Sequence, residues 1–146
     1  MDIAQVYNIL FLIGRIVVGG YFLMAGFNHF THASMMAGYA QSKGTPAAKF
    51  AVMGTGVLLL LGGASFLLGF HPTIGAGLLI IFLLGVSFKI HNFWTVSDPM
   101  VRMGEQVHFG KNIAMIGFLL MTLMITRREE RSIRRCGMAA FATAGF

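Results

Sequence analysis

The residues best equipped for chemistry in this 146-residue chain stand at the ends of its apolar tracts. In Phe88-Lys89-Ile90-His91-Asn92-Phe93-Trp94, bases, an amide and an indole follow a long hydrophobic run. His29 closes another such run, and Lys111-Asn112 opens a third. Imidazole exchanges protons near neutral pH, Lys and Asn donate hydrogen bonds to carbonyl oxygens, and an indole walls a flat ring. His29, His91, Asn92, Trp94, Lys111 and Asn112 are therefore a candidate site for a quinone headgroup, with lipid beside it for the tail. Trp, His and Lys at a span end are also ordinary interface anchors, and that alternative stands beside the first.

Spacing sharpens the expectation. On a helix at 100° per residue, Ser87, His91 and Trp94 share one stripe, while Lys89 and Phe93 point the other way. The stripe is expected to face His29 and the start of the fourth apolar segment. Glu105, His108 and Asn112 share a face leading into that segment.

Arg15 is a charge within an apolar tract, which costs about 2.5–3.5 kcal/mol at the centre of a spanning helix. No carboxylate in any span can neutralise it. Two explanations fit: the side chain snorkels or pairs with backbone, or it meets an anionic group or a partner's carboxylate.

The same region holds His29, His32, His91 and His108 with Met35, Met36, Met100 and Met103, and thioethers suit Cu(I). No tight cluster joins them, and Met is a normal packing residue, so no metal is expected. Ser65 and Ser87 read as small interhelical polar residues. Cys136, the one cysteine, lies beside Arg134 and Arg135 without a partner base, so a nucleophile is not expected and catalysis by the chain alone is not either. Gly54-Thr55-Gly56 and Gly62-Gly63 fall within a span, where small residues mean packing rather than a phosphate loop.

The elements that position these groups follow from composition. The chain is 56% hydrophobic and 11% charged, with a mean hydropathy of +0.75, far more apolar than a soluble domain. Phe50 to Phe88 carries no formal charge over roughly twice the ~20 residues one crossing needs. It divides at Gly69-Phe70-His71-Pro72-Thr73, where Gly ends one helix and Pro opens the next. Four spans are expected, at about residues 7–28, 50–68, 74–90 and 109–125. A segment rich in Met and ending at Lys43-Gly44-Thr45-Pro46 suggests one interfacial helix. Ser97-Asp98-Pro99, a cap and a first-turn Pro, suggests another. The fold class is all-α: a four-helix transmembrane bundle with short interfacial helices on the outer side.

The net charge of +6, from 11 Lys and Arg against 5 Asp and Glu, lacks a soluble basic face for nucleic acid, and anionic lipid explains it better. Arg127, Arg128, Arg131, Arg134 and Arg135 cluster in the tail, residues 127–146, and favour both termini being cytoplasmic in a bacterial-type plasma membrane. Residues 1–126 then form one membrane domain. Asp2 stands where a signal peptide needs basic residues, so the first tract is read as a retained span.

From Tyr7 to Ile125 the sequence resembles the DoxX family of small four-helix membrane proteins. The resemblance rests on Gly14-Arg15, Gly26-Phe27-Asn28-His29-Phe30, Lys43-Gly44-Thr45-Pro46, the Gly69 to Ala76 turn, His91-Asn92-Phe93-Trp94, and Lys111-Asn112-Ile113-Ala114-Met115-Ile116-Gly117. It implies a four-helix bundle, and a place among relatives of which some belong to thiosulfate:quinone oxidoreductases or other membrane-bound redox assemblies. The function expected is thus an accessory subunit of a redox system that contacts quinone beside other membrane subunits. The alternative is a non-catalytic structural or assembly subunit. A small-molecule or metal transporter fits less well, since four spans without a broken helix lack the usual transporter architecture.

Overall fold

The computed structural model describes residues 2–143, with side chains described as far as residue 125. The described residues form five α-helices, α1 (Ile3–Thr31), α2 (Ala33–Ser42), α3 (Ala48–Leu68), α4 (Pro72–Lys89) and α5 (Pro99–Thr143), with a 3-10 turn at Phe93–Thr95 between the last two. Four stretches, Ile3–Thr31, Ala48–Leu68, Pro72–Thr95 and Pro99–Ile125, are long and apolar enough to cross a membrane. The side chains of the arginine-rich tail, with Cys136, lie outside the described residues, as does the end of the tail.

The expected breaks are where the chain bends. Gly69 adopts φ 67 at the end of α3, His71 follows at φ 48, and Pro72 opens α4. Only glycine takes the left-handed conformation without cost, so Gly69 is the natural residue for this corner. The guanidinium of Arg15 fastens it from α1, donating from Nε to the carbonyl of Phe66 at 3.0 Å and from Nη2 to that of Leu67 at 2.8 Å. Both carbonyls belong to the last turn of α3, where the regular intrahelical donors run out, and that of Phe66 also takes the cap amide of Gly69 at 3.3 Å. A methyl on Gly69 would collide with the same guanidinium.

Helix α3 is packed on both sides by close backbone approach. Toward α1, a methyl at Gly19 would lie 2.9 Å from the carbonyl oxygen of Gly63, and one at Gly63 would lie 2.9 Å from the amide of Leu23. Toward α4, a methyl at Gly62 would lie 3.2 Å from the carbonyl of Gly75. Association in lipid depends on such packing, because apolar side chains gain nothing by leaving equally apolar tails. Gly14, Gly20 and Gly54 do not share this role, since a methyl there would meet nothing within 4 Å.

Phe22, Leu59, Phe66, Ala76, Leu79, Leu83, Ile116 and Leu119 form one core drawn from all four long helices. α2 lies across the start of α3, closing a second cluster of Ala40, Ala48 and Val52 with Met36, Ala37 and Ile90. α1 packs on α2 and α3 and α5 on α4, and among the described residues no close backbone approach joins α1 to α5.

Two details differ from the sequence expectation. α2 is the first of the two short helices expected, but the second is continuous with the fourth long helix. Asp98 caps it, its Oδ1 accepting from the amides of Met100 at 2.8 Å and Val101 at 3.0 Å, and nothing then interrupts α5 before Phe109. The Ser87/His91/Trp94 helical stripe is also not formed. α4 stops at Lys89, and Asn92 turns the chain into the Phe93–Thr95 element, its carbonyl taking both the amide and the hydroxyl of Thr95.

Candidate functional site

The polar end of the bundle is organised around one carboxylate. Glu105 lies in the second turn of α5, its side chain 6% exposed. Its Oε1 accepts from the Tyr39 hydroxyl and lies 3.3 Å from the Lys43 Nζ, while its Oε2 lies 2.6 Å from His91 Nδ1. Tyr39 and Lys43 are four residues apart near the end of α2 and so share a face. His91 comes from the turn after α4. Three separate segments therefore meet on one acidic group.

Further contacts tighten the cluster. Lys43 Nζ reaches the Asn92 side-chain oxygen at 3.4 Å and lies 5.6 Å from the Tyr39 ring centroid. The ring of His108, three residues beyond Glu105, stacks on His91 with centroids 5.0 Å apart and planes at 24°. Burial, the hydrogen bond to Glu105 and the negative charge there together push the Tyr39 phenol up to about 12, so it is a hydrogen-bond donor throughout the ordinary pH range.

An open cleft of about 340 Å³ lies beside the cluster, lined by Tyr39, His91, Val101, Gly104, Glu105 and His108. Next to it Phe109 contacts Phe88, Phe93 and Trp94 edge-on, with centroids 5.6, 5.5 and 5.8 Å away. Aromatic rings prefer this arrangement over stacking face to face, and it fixes the turn that carries His91 against α5. Chemically, the arrangement offers two imidazoles at an open surface, one held by a carboxylate, beside an aromatic wall.

The six residues proposed from sequence for a headgroup are distributed unevenly around this cleft. His91 lines it, Asn92 adjoins it through Lys43, and Trp94, 50% exposed, belongs to the neighbouring aromatic group. His29 is a buried core residue: its Nδ1 lies 2.8 Å from the carbonyl of Ala25 and its ring meets Phe82 edge-on. Asn112 is buried two turns below Glu105 on the same face of α5, and Lys111 beside it is exposed. Arg15 is at the far corner, where it is satisfied by backbone carbonyls. Among the described residues no group of three or more His, Cys, Asp or Glu is arranged to hold a metal ion.

Tyr39, Lys43 and Glu105 were not among the sequence candidates, and His108 was weighed there only for a metal and for the face it shares with Glu105 and Asn112. Glu105 carried a usable signal, as the one carboxylate between Asp98 and Glu129 and on a face shared with His108 and Asn112. Tyr39 and Lys43 carried none that separates them from an ordinary interfacial helix.

No curated protein and no solved structure matches the chain. A family model described as DoxX matches residues 10–92, more than half of it. The matched stretch includes Arg15, Tyr39, Lys43 and His91 and stops short of Glu105. It covers the first three apolar helices and the motifs from Gly14-Arg15 to His91-Asn92, and the chain belongs to the DoxX family, a family of membrane proteins.

Proposed function

We propose that this protein is an accessory membrane subunit of a redox system and that a quinone headgroup enters the cleft between α2 and α5. The observation that carries the reading is the His91–His108 stack held on Glu105 at an open cleft. A quinone needs hydrogen-bonding and proton-exchanging groups at its oxygens and an apolar path for its tail, and this cleft offers both. His91 is the proton-exchanging group, Trp94 and Phe109 are the wall, and Lys111 adds positive charge one turn from His108. Asn92 holds Lys43, and His29 and Asn112 support the bundle from within. The arginine cluster of the tail orients both termini to the cytoplasm, so the cleft opens on the outer face of a bacterial-type plasma membrane.

The chain's single tryptophan, Trp94, makes the reading testable. Purified protein in lipid nanodiscs is titrated with a short-chain quinone while indole fluorescence is followed. Saturable quenching is expected, weakened about tenfold or more in His91→Leu and His108→Leu, the loss typical of removing one key polar contact. Quenching that does not saturate, or that both variants leave unchanged, overturns the proposal.

One observation favours the second reading, a structural or assembly subunit. α1 and α5 do not close on each other, and both present large apolar side chains outward, among them Phe11, Val17 and Met24 on α1 and Phe118 and Met121 on α5. A stoichiometric membrane partner that stays bound in detergent, without a co-purifying quinone, supports this reading over the first.

A further inference from the structure

We infer that Glu105 is a positioning residue that fixes His91 as the Nδ1–H tautomer and leaves Nε2 as the proton-accepting atom of the cleft. The inference rests on the reading of the cleft as a proton-exchanging site, and it names the atom that does the exchange. Glu105 Oε2 lies 2.6 Å from His91 Nδ1, while Oε1 is already engaged by the Tyr39 hydroxyl and by Lys43. Every neighbour of the carboxylate is a donor, so the carboxylate accepts on both oxygens, and the ring nitrogen facing it must carry its hydrogen. A neutral imidazole has one N–H, so the lone pair falls on Nε2. That atom has no protein hydrogen-bond partner among the described residues, and the ring lines the open cleft.

The charged and titratable groups around the ring come from two sides: Tyr39 from α2 and Lys43 just after it, Glu105 and His108 from α5, with Lys111 beyond His108. Lys43 and Glu105 offset each other, so the cluster is neutral while both imidazoles are neutral. A proton that leaves water or a ligand hydroxyl for Nε2 makes an imidazolium whose Nδ1–H is already on a carboxylate. The ring of His108 stacks on the same imidazole with centroids 5.0 Å apart and holds its plane toward the cleft.

The test needs no ligand. Nitrogen NMR of histidine-labelled protein in nanodiscs, with His91 assigned by the signal missing from His91→Gln, reports which ring nitrogen carries hydrogen. The neutral wild-type ring is expected as the Nδ1–H form. In Glu105→Gln that preference should fall about tenfold, the ratio one charge-assisted hydrogen bond carries, and Glu105→Asp should restore part of it. A wild-type ring in the Nε2–H form overturns the inference whether or not any variant folds, and so does a Glu105→Gln ring indistinguishable from wild type. If the tautomer is as stated and quinone fails to quench Trp94, the functional reading fails and the tautomer assignment stands.

Discussion

Glu105 and His91 are 14 residues apart in the chain and 2.6 Å apart at Oε2 and Nδ1. The span between them holds the 3-10 turn, the Asp98 cap and the first turn of α5, and together these fold the chain back on itself. The same carboxylate takes Tyr39 from α2 and Lys43 just after it, so one side chain ties together the three segments that make the polar end.

Removing that side chain alone should be costly. Glu105→Gln leaves Lys43, only 16% exposed at its side chain, without its counter-charge, and breaking such a pair from one side costs about 3 kcal/mol. Thermal unfolding in detergent should show a clear drop in midpoint. The double variant Lys43→Met with Glu105→Gln should recover part of it, because no charge is then stranded. A double variant as unstable as the sum of the singles would show that the pair does not act as a unit.

At the opposite corner, Arg15→Leu should destabilise the bundle by about 2–3 kcal/mol, since it removes two charge-assisted hydrogen bonds from the end of α3. Arg15→Lys should recover only part of this, because an ammonium lacks the planar fork that reaches two carbonyls at once. A leucine variant with unchanged expression and unfolding midpoint would refute the structural role of Arg15.

Gly69→Ala combines a left-handed backbone at φ 67 with a collision against the Arg15 guanidinium. A loss of about 1 kcal/mol from the backbone alone is expected, and more from the displaced arginine. Because the two residues touch, the effect should be smaller in an Arg15→Leu background, a coupling that a double-mutant cycle measures directly.

Alkaline titration should single out Tyr39. Its phenol is raised from 10.0 to about 12 by burial, then by the hydrogen bond to Glu105 and that group's charge. The folded protein therefore holds this proton where the unfolded chain releases it. The resulting stability is present below pH 10 and is lost as pH rises toward 12. Tyr39→Phe should remove a phenolate absorbance step near pH 12 and flatten the fall in stability between those values. A step at the same pH in the variant would assign it to another tyrosine.

Much of the architecture was legible from sequence because the bilayer writes it in long, charge-free tracts. The corner at Gly69 to Pro72 and the cap at Asp98 were legible because glycine, proline and aspartate act there through their own covalent shape or short side chain. The partner of Arg15 was not, since backbone carbonyls are the same in every residue and only a fold says which are left unpaired. The Ser87/His91/Trp94 stripe failed because helical periodicity says where residues point while a helix lasts, and α4 ends at Lys89. Tyr39, Lys43 and Glu105 were hidden for a different reason: two helices and a turn bring them together over as many as 66 positions of chain.

The placement of Glu105 so late in the chain sets an order of assembly. α1, α3 and α4 can dock as soon as they are inserted, through the Gly19–Gly63 and Gly62–Gly75 approaches and the Arg15 clasp, all of which lie before the 3-10 turn. Until α5 arrives, Lys43 and His91 have no carboxylate to receive them. Lys43 then has only the Asn92 side-chain oxygen beside it, and the polar end is completed when α5 brings Glu105 to it.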